Sequence, residues 1–142
     1  MSRFLSRLDH TRIAGAIAQA EQKTSGQIRV HVTHRKPDDF EQRARRRFEL
    51  LGMTATKNRN GVLIYIAPRI RRFRILGDVG VHEKCGDEFW KATAAAMESH
   101  FRKGEFTEGV LAGVERAGAA LAVHFPKEAG AENELPDEVT ED

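Results

Sequence analysis

The sequence predicts an α/β protein, a three-layer α/β/α sandwich around a small mixed sheet with its elements in the order αβαββαα. Three observations carry this. Val62 to Ala67 is an unbroken apolar run of strand length between Gly61 and Pro68, and its lack of alternation says that both faces are covered. After PRIRR, Phe73 and Ile75 alternate with Arg72 and Arg74, so Phe73 to Leu76 reads as a second strand, antiparallel to the first and wetter on one face. Finally, strand, helix and strand follow one another between Gln27 and Ala67, a βαβ unit whose two strands run parallel.

Each element has a local reason. Residues 9 to 23 form a helix that Asp9 can cap, with Ile13, Ala16, Ile17 and Ala20 on one face and Thr24-Ser25-Gly26 as its stop. Gln27 to His34 alternates: Ile28, Val30 and Val32 face one way, Arg29, His31 and Thr33 the other, which predicts a strand with a half-polar face. Asp38 and Glu41 have capping-box spacing ahead of a helix whose apolar stripe is Phe40, Ala44, Phe48 and Leu51, ended by Gly52. After the hairpin, Trp90, Ala94, Met97 and Phe101 mark a helix from Asp87 to Lys103. Thr107 is placed to cap a last helix, which carries Val110, Leu111, Val114, Gly118, Leu121 and Phe125 and ends at Pro126.

Charge divides the chain in two. From Pro126 onward there are seven acidic residues and one basic, with few apolar residues and two prolines, so residues 126 to 142 read as a disordered acidic tail on a domain of residues 1 to 125. The remaining body holds 22 Lys and Arg against 14 Asp and Glu, a charge of +8. Arg43, Arg45, Arg46 and Arg47 cluster on the second helix, and Arg69, Arg71, Arg72 and Arg74 decorate the hairpin. Such a surface attracts anions, including the protein's own acidic tail, and can touch an anionic surface weakly. No zinc finger, helix-turn-helix or RNA-binding aromatic signature accompanies it, which argues against a specific nucleic-acid reader. No stretch approaches the ~20 apolar residues of a membrane span. The single Cys85 excludes an internal disulfide, and a cytoplasmic placement is the simplest expectation.

Hairpin pairing lays the start of the first strand beside the end of the second, so Asn60 should meet a loop running from Asp78 to Glu83. That loop concentrates a carboxylate, an imidazole (His82) and a second carboxylate, groups that a divalent ion such as calcium or magnesium, or a general acid/base pair, would use. The plainer account has Asp78 shaping a turn and Glu83 favouring the start of the next helix. Cys85 lies near a helix start but lacks any His–Asn or His–Asp partner at recognisable spacing, which fits a small structural cysteine. A second candidate edge carries His34, Arg35 and residues Pro68 to Arg71, at the carboxyl ends of the parallel strands where open α/β sheets usually bind ligands.

The stretches TSGQIRVHV, NGVLIYIAP, RRFRILGDVG and HFRKGEFTEGVLAGVERAG, covering residues 9 to 125 in order, resemble the TPM domain of thylakoid-lumen, photosystem-repair and receptor-accessory proteins and of many bacterial proteins. The resemblance implies an α/β/α sandwich and, in some members, calcium binding and a weak acid phosphatase activity. Where many members have Asp-Asn-Gly before the central strand, this chain has Arg59-Asn60-Gly61, which removes a carboxylate that a hard cation would want. The expected function is therefore a small binding or accessory domain for a protein or anionic ligand, with Arg59 and Asn60 contacting that ligand. The alternative is a metal-assisted acid phosphatase acting on phosphomonoesters, with Asp78 and Glu83 as metal ligands and His82 as the acid/base.

Overall fold

The computed structural model describes residues 8–127 and 139–142. A mixed sheet of order β3-β2-β1-β4 lies between helices, built from β1 (Gln27–Val32), β2 (Gly61–Ala67), β3 (Arg72–Gly77) and β4 (Val139–Glu141). The helices are α1 (His10–Glu21), α2 (Phe40–Leu50), α3 (Val79–Cys85), α4 (Asp87–Arg102) and α5 (Phe106–His124). β1 and β2 run parallel with Val30 opposite Ile64, and β2 and β3 run antiparallel with Ile64 opposite Ile75, as the βαβ and hairpin readings require.

The strand pattern sorts the core into two layers. Ile28, Val30 and Val32 of β1 join Val62, Ile64 and Ile66 of β2 beneath α1, α4 and α5. On the opposite face Leu63, Tyr65 and Ala67 pack on Phe40, Ala44 and Phe48 of α2. All seven residues of β2 are buried, and each large aliphatic side chain sealed there contributes about 1.5–3 kcal/mol. Helices α4 and α5 approach closely because Gly113 has no side chain: a Cβ there would lie 2.6 Å from the Met97 sulfur.

Several local expectations are corrected. The N-cap of α2 is Asp39, whose carboxylate accepts from the Gln42 amide, rather than Asp38. Thr107 sits inside α5, and its hydroxyl accepts the Asp9 amide hydrogen instead of capping. Gln27, Arg29, His31 and Thr33 are buried, because α2 and β4 cover the face of β1 that their polarity suggested was wet. Residues 78 to 83 form no loop: Asp78 caps α3, whose Val81 is buried. The end of the acidic tail is a strand, since Val139–Glu141 pairs in parallel with β1; the rest of that expectation, residues 128 to 138, lies outside the described residues. Among the described residues the order is thus αβαββαααβ.

Candidate functional site

At the amino ends of β1 and β2 the hairpin does what its pairing predicts. The Asp78 amide donates to the Gly61 carbonyl at 2.9 Å and the Gly80 amide to the Arg59 carbonyl at 2.9 Å, joining the two segments through backbone. A Cβ on Gly80 would lie 2.6 Å from the Asn58 carbonyl oxygen and 2.7 Å from that of Arg59, so only glycine permits this approach. Arg59 adopts a left-handed φ of 49°, a conformation that costs a non-glycine residue about 1–3 kcal/mol unless its surroundings impose it.

What holds Arg59 there is Asp78. Its Nε donates to Asp78 Oδ2 at 2.6 Å and its Nη2 to Oδ1 at 2.8 Å, a two-point fork on a carboxylate whose side chain is only 4% exposed. Oδ1 also accepts the Val79 amide hydrogen at 2.8 Å. The bond to Asp78 pushes the Arg59 guanidinium pKa up. Asn60 is fully buried beside this pair; its Nδ2 donates to Ser25 Oγ at 3.1 Å and its backbone amide to Thr56 Oγ1 at 3.1 Å. Its Oδ1 is buried and has no hydrogen-bond partner among the described residues. His82 and Glu83 lie exposed on α3, and Cys85 is half-buried with its thiol pKa raised by burial, the wrong direction for a nucleophile.

These residues do not make a hard-cation site as they stand. A calcium ion needs six to eight oxygens with several carboxylates among them. Here both oxygens of Asp78 are taken by Arg59, Asn60 offers one amide oxygen, and among the described residues no group of three His, Cys, Asp or Glu side chains is placed to hold a metal ion. An open groove of about 930 Å³ does begin here. It runs from Asp78, His82 and Glu83 along β3, over Phe73, Ile75 and Trp90, between α2 and α4. Among the described residues β3 is an edge strand, so the groove floor lies beside backbone that none of them pairs. Two of the arginines expected to form an anion surface are instead engaged near it: Arg72 and Arg74 reach Glu41 at 3.6 and 3.1 Å, and Arg72 lies over the Phe40 ring.

The carboxyl ends of β1 and β2 are built differently. His31 is buried, 1% exposed, with its ring stacked on Tyr65 at a centroid separation of 5.7 Å. Its Nδ1 lies 2.6 Å from Thr140 Oγ1 and its Nε2 3.2 Å from Asp142 Oδ1. Asp142 also pairs with Arg47 of α2. Glu141 reaches His10 at 3.0 Å and His34 at 3.1 Å, and Arg69 donates to the His34 carbonyl at 3.4 Å. Burial lowers the His31 pKa although Asp142 works against that shift. Burial disfavours the charge on Asp142, yet hydrogen bonds from Thr33 and His31 and the charges of His31 and Arg47 hold its carboxyl below the usual carboxylate value. Sequence reasoning located this edge through His34 and Arg69 but missed His31, whose place in an alternating strand looked solvated; its only signal is an imidazole facing the same side as Arg29 and Thr33.

The fold is shared with known structures. The chain superposes on the NMR structure of the BA42 protein from the psychrophilic bacterium Bizionia argentinensis with a TM-score of 0.89 and 39% identity over 96% of both chains. The fold alone is shared with the N-terminal domain of a protein from P. gingivalis (22% identity, TM-score 0.59, 80% of this chain and 76% of that one). It is shared likewise with the N-terminal domain of the cg2496 protein from Corynebacterium glutamicum (20% identity, TM-score 0.55, 78% and 70%). Functionally curated proteins give no match. No helix among the described residues is long and apolar enough to cross a membrane. The sequence profile of the TPM domain matches residues 1–120, and the chain belongs to the TPM domain family.

Proposed function

We propose that this chain is a binding domain for a protein partner, engaged at the Arg59/Asn60/Asp78–Glu83 edge and along the groove beside β3, rather than a phosphatase. The observation that carries this is the fork of Arg59 on Asp78: the carboxylate best placed for metal or acid/base work is already satisfied. His82 and Glu83 then remain as exposed groups at the mouth of a groove lined by Phe73, Ile75 and Trp90, beside a strand that stands at the edge of the sheet among the described residues, features suited to an extended polypeptide. The cytoplasmic placement expected from the lone Cys85 is part of the same proposal.

The test uses the full chain. With p-nitrophenyl phosphate and either calcium or magnesium, hydrolysis is expected to stay at the buffer rate, and calcium is expected to move no amide signal saturably below about 1 mM. Arg59→Asp restores the missing acid and tolerates the left-handed backbone, so it should gain calcium binding in the millimolar range, and Asp78→Asn in that background should abolish the gain. Metal-dependent hydrolysis by the wild-type protein that falls in His82→Ala or Glu83→Gln would replace this reading with the phosphatase.

A further inference from the structure

We infer that the edge at the carboxyl ends of β1 and β2 is a binding site for an extended acidic peptide, and that the chain's own residues 139–142 occupy it as an internal ligand. The inference concerns residues separate from the β3 groove and stands independently of it.

β4 is only three residues long and pairs with β1 alone, below the five or six of an ordinary strand. Packing contributes little to its position: Val139 touches the core partly buried, and Glu141 and Asp142 are exposed. Recognition of its polar groups accounts for the rest. Glu141 meets two imidazoles, His10 and His34; Asp142 meets His31 and Arg47, while its amide donates to the Val32 carbonyl at 3.0 Å. Those basic groups come from α1, β1, the segment after β1 and α2, so the folded body presents a cradle for two successive carboxylates.

His31 makes the cradle a site rather than a surface. It is a buried imidazole whose Nδ1 bonds Thr140 and whose Nε2 faces the Asp142 carboxylate at 3.2 Å, both on this short segment. A buried polar group of this kind demands an occupant with a hydroxyl or carboxylate at those positions. The place is also the one where open α/β sheets bind ligands, and adding a strand to a sheet edge is a common way to bind an extended peptide. The internal segment therefore reports the preferred ligand: a β-branched residue, Thr, then two acids, running parallel to β1.

The experiment measures fluorescence anisotropy of an acetylated, amidated and labelled Val-Thr-Glu-Asp peptide against the full chain and its Glu141→Gln/Asp142→Asn variant. Weakening the internal competitor should tighten peptide binding on the order of tenfold, the effect of removing one partly exposed ion pair and a few carboxylate–imidazole contacts. Adding Arg47→Gln should cancel that gain, a Val-Thr-Gln-Asn peptide should bind neither protein, and peptide-induced amide shifts should fall on His31 and Val32 rather than Trp90. Equal affinity in wild type and double variant, or a gain indifferent to Arg47→Gln, overturns the inference. So does unfolding of the double variant, because the segment would then be a structural strand and not a ligand.

Discussion

The two ends of the β1–β2 pair close in opposite ways. At the amino ends, Arg59 and Asp78 belong to adjoining segments of one hairpin and are locked by backbone bonds on either side of the ion pair. At the carboxyl ends, His31 and Arg47 wait for Thr140 and Asp142, more than ninety residues away and delivered by a strand of three residues. A polar closure made within a hairpin forms with the hairpin and is as permanent as the fold. One made by a distant segment carries its own loop-closure cost and can open while the body stays folded.

The sharpest check is on the framework that both ends share. Ile64→Ala empties space between β2, α5 and α4 at the centre of the sheet and should cost about 2–5 kcal/mol in chemical denaturation. Both ends should loosen together, seen as faster amide exchange at Gly80 and at Val32. If only one end responded, the sheet would not couple them.

A smaller effect separates the ends. Asp78→Ala removes the N-cap of α3 together with the fork and should cost about 0.5–2 kcal/mol. Asp142→Ala breaks pairs that are partly exposed and should cost at most about 1 kcal/mol, screened by salt. Comparable losses for the two, each insensitive to salt, would erase the distinction between a built-in closure and a delivered one.

The smallest effect is a pH slope. His31 has a folded pKa below its ordinary value near 6.5, so between those two values the unfolded chain binds more protons. Its stabilising contribution is thus complete above about pH 6.5 and declines as pH falls below it towards the folded pKa. Burial does most to lower the folded pKa; of the groups facing the ring, Asp142 raises it, while Arg47 and Arg29 lower it further. Asp142→Asn should extend the decline to lower pH, read from urea midpoints between pH 8 and 5 and from the His31 ring resonances. Midpoints that stay level across that range would show that the carboxyl end admits a proton without penalty.

How much of this was legible before folding follows from range. The hairpin could be read because its signals are local: an apolar run, a turn, an alternating strand, and a register that brings Asn60 to Asp78. The α3 turn was missed although Asp78 precedes it, because Gly77 and Gly80 look like loop residues until Gly80 is seen to admit the Asn58 and Arg59 carbonyls. Arg72 and Arg74 of the hairpin looked free because their partner, Glu41, lies on another element.

By itself the sequence determined the central strand, the parallel and antiparallel partners of that strand and the meeting of the 59–60 and 78 segments, since hydrophobic period and short connections specify these directly. Only the tertiary structure decided which polar side chains are sealed. Arg29 and His31 carry an alternation that would equally suit a wet face, and their burial depends on α2 and on four residues at the far end of the described chain. Burial is set by what arrives from elsewhere, and no local pattern in β1 encodes the arrival of Asp142.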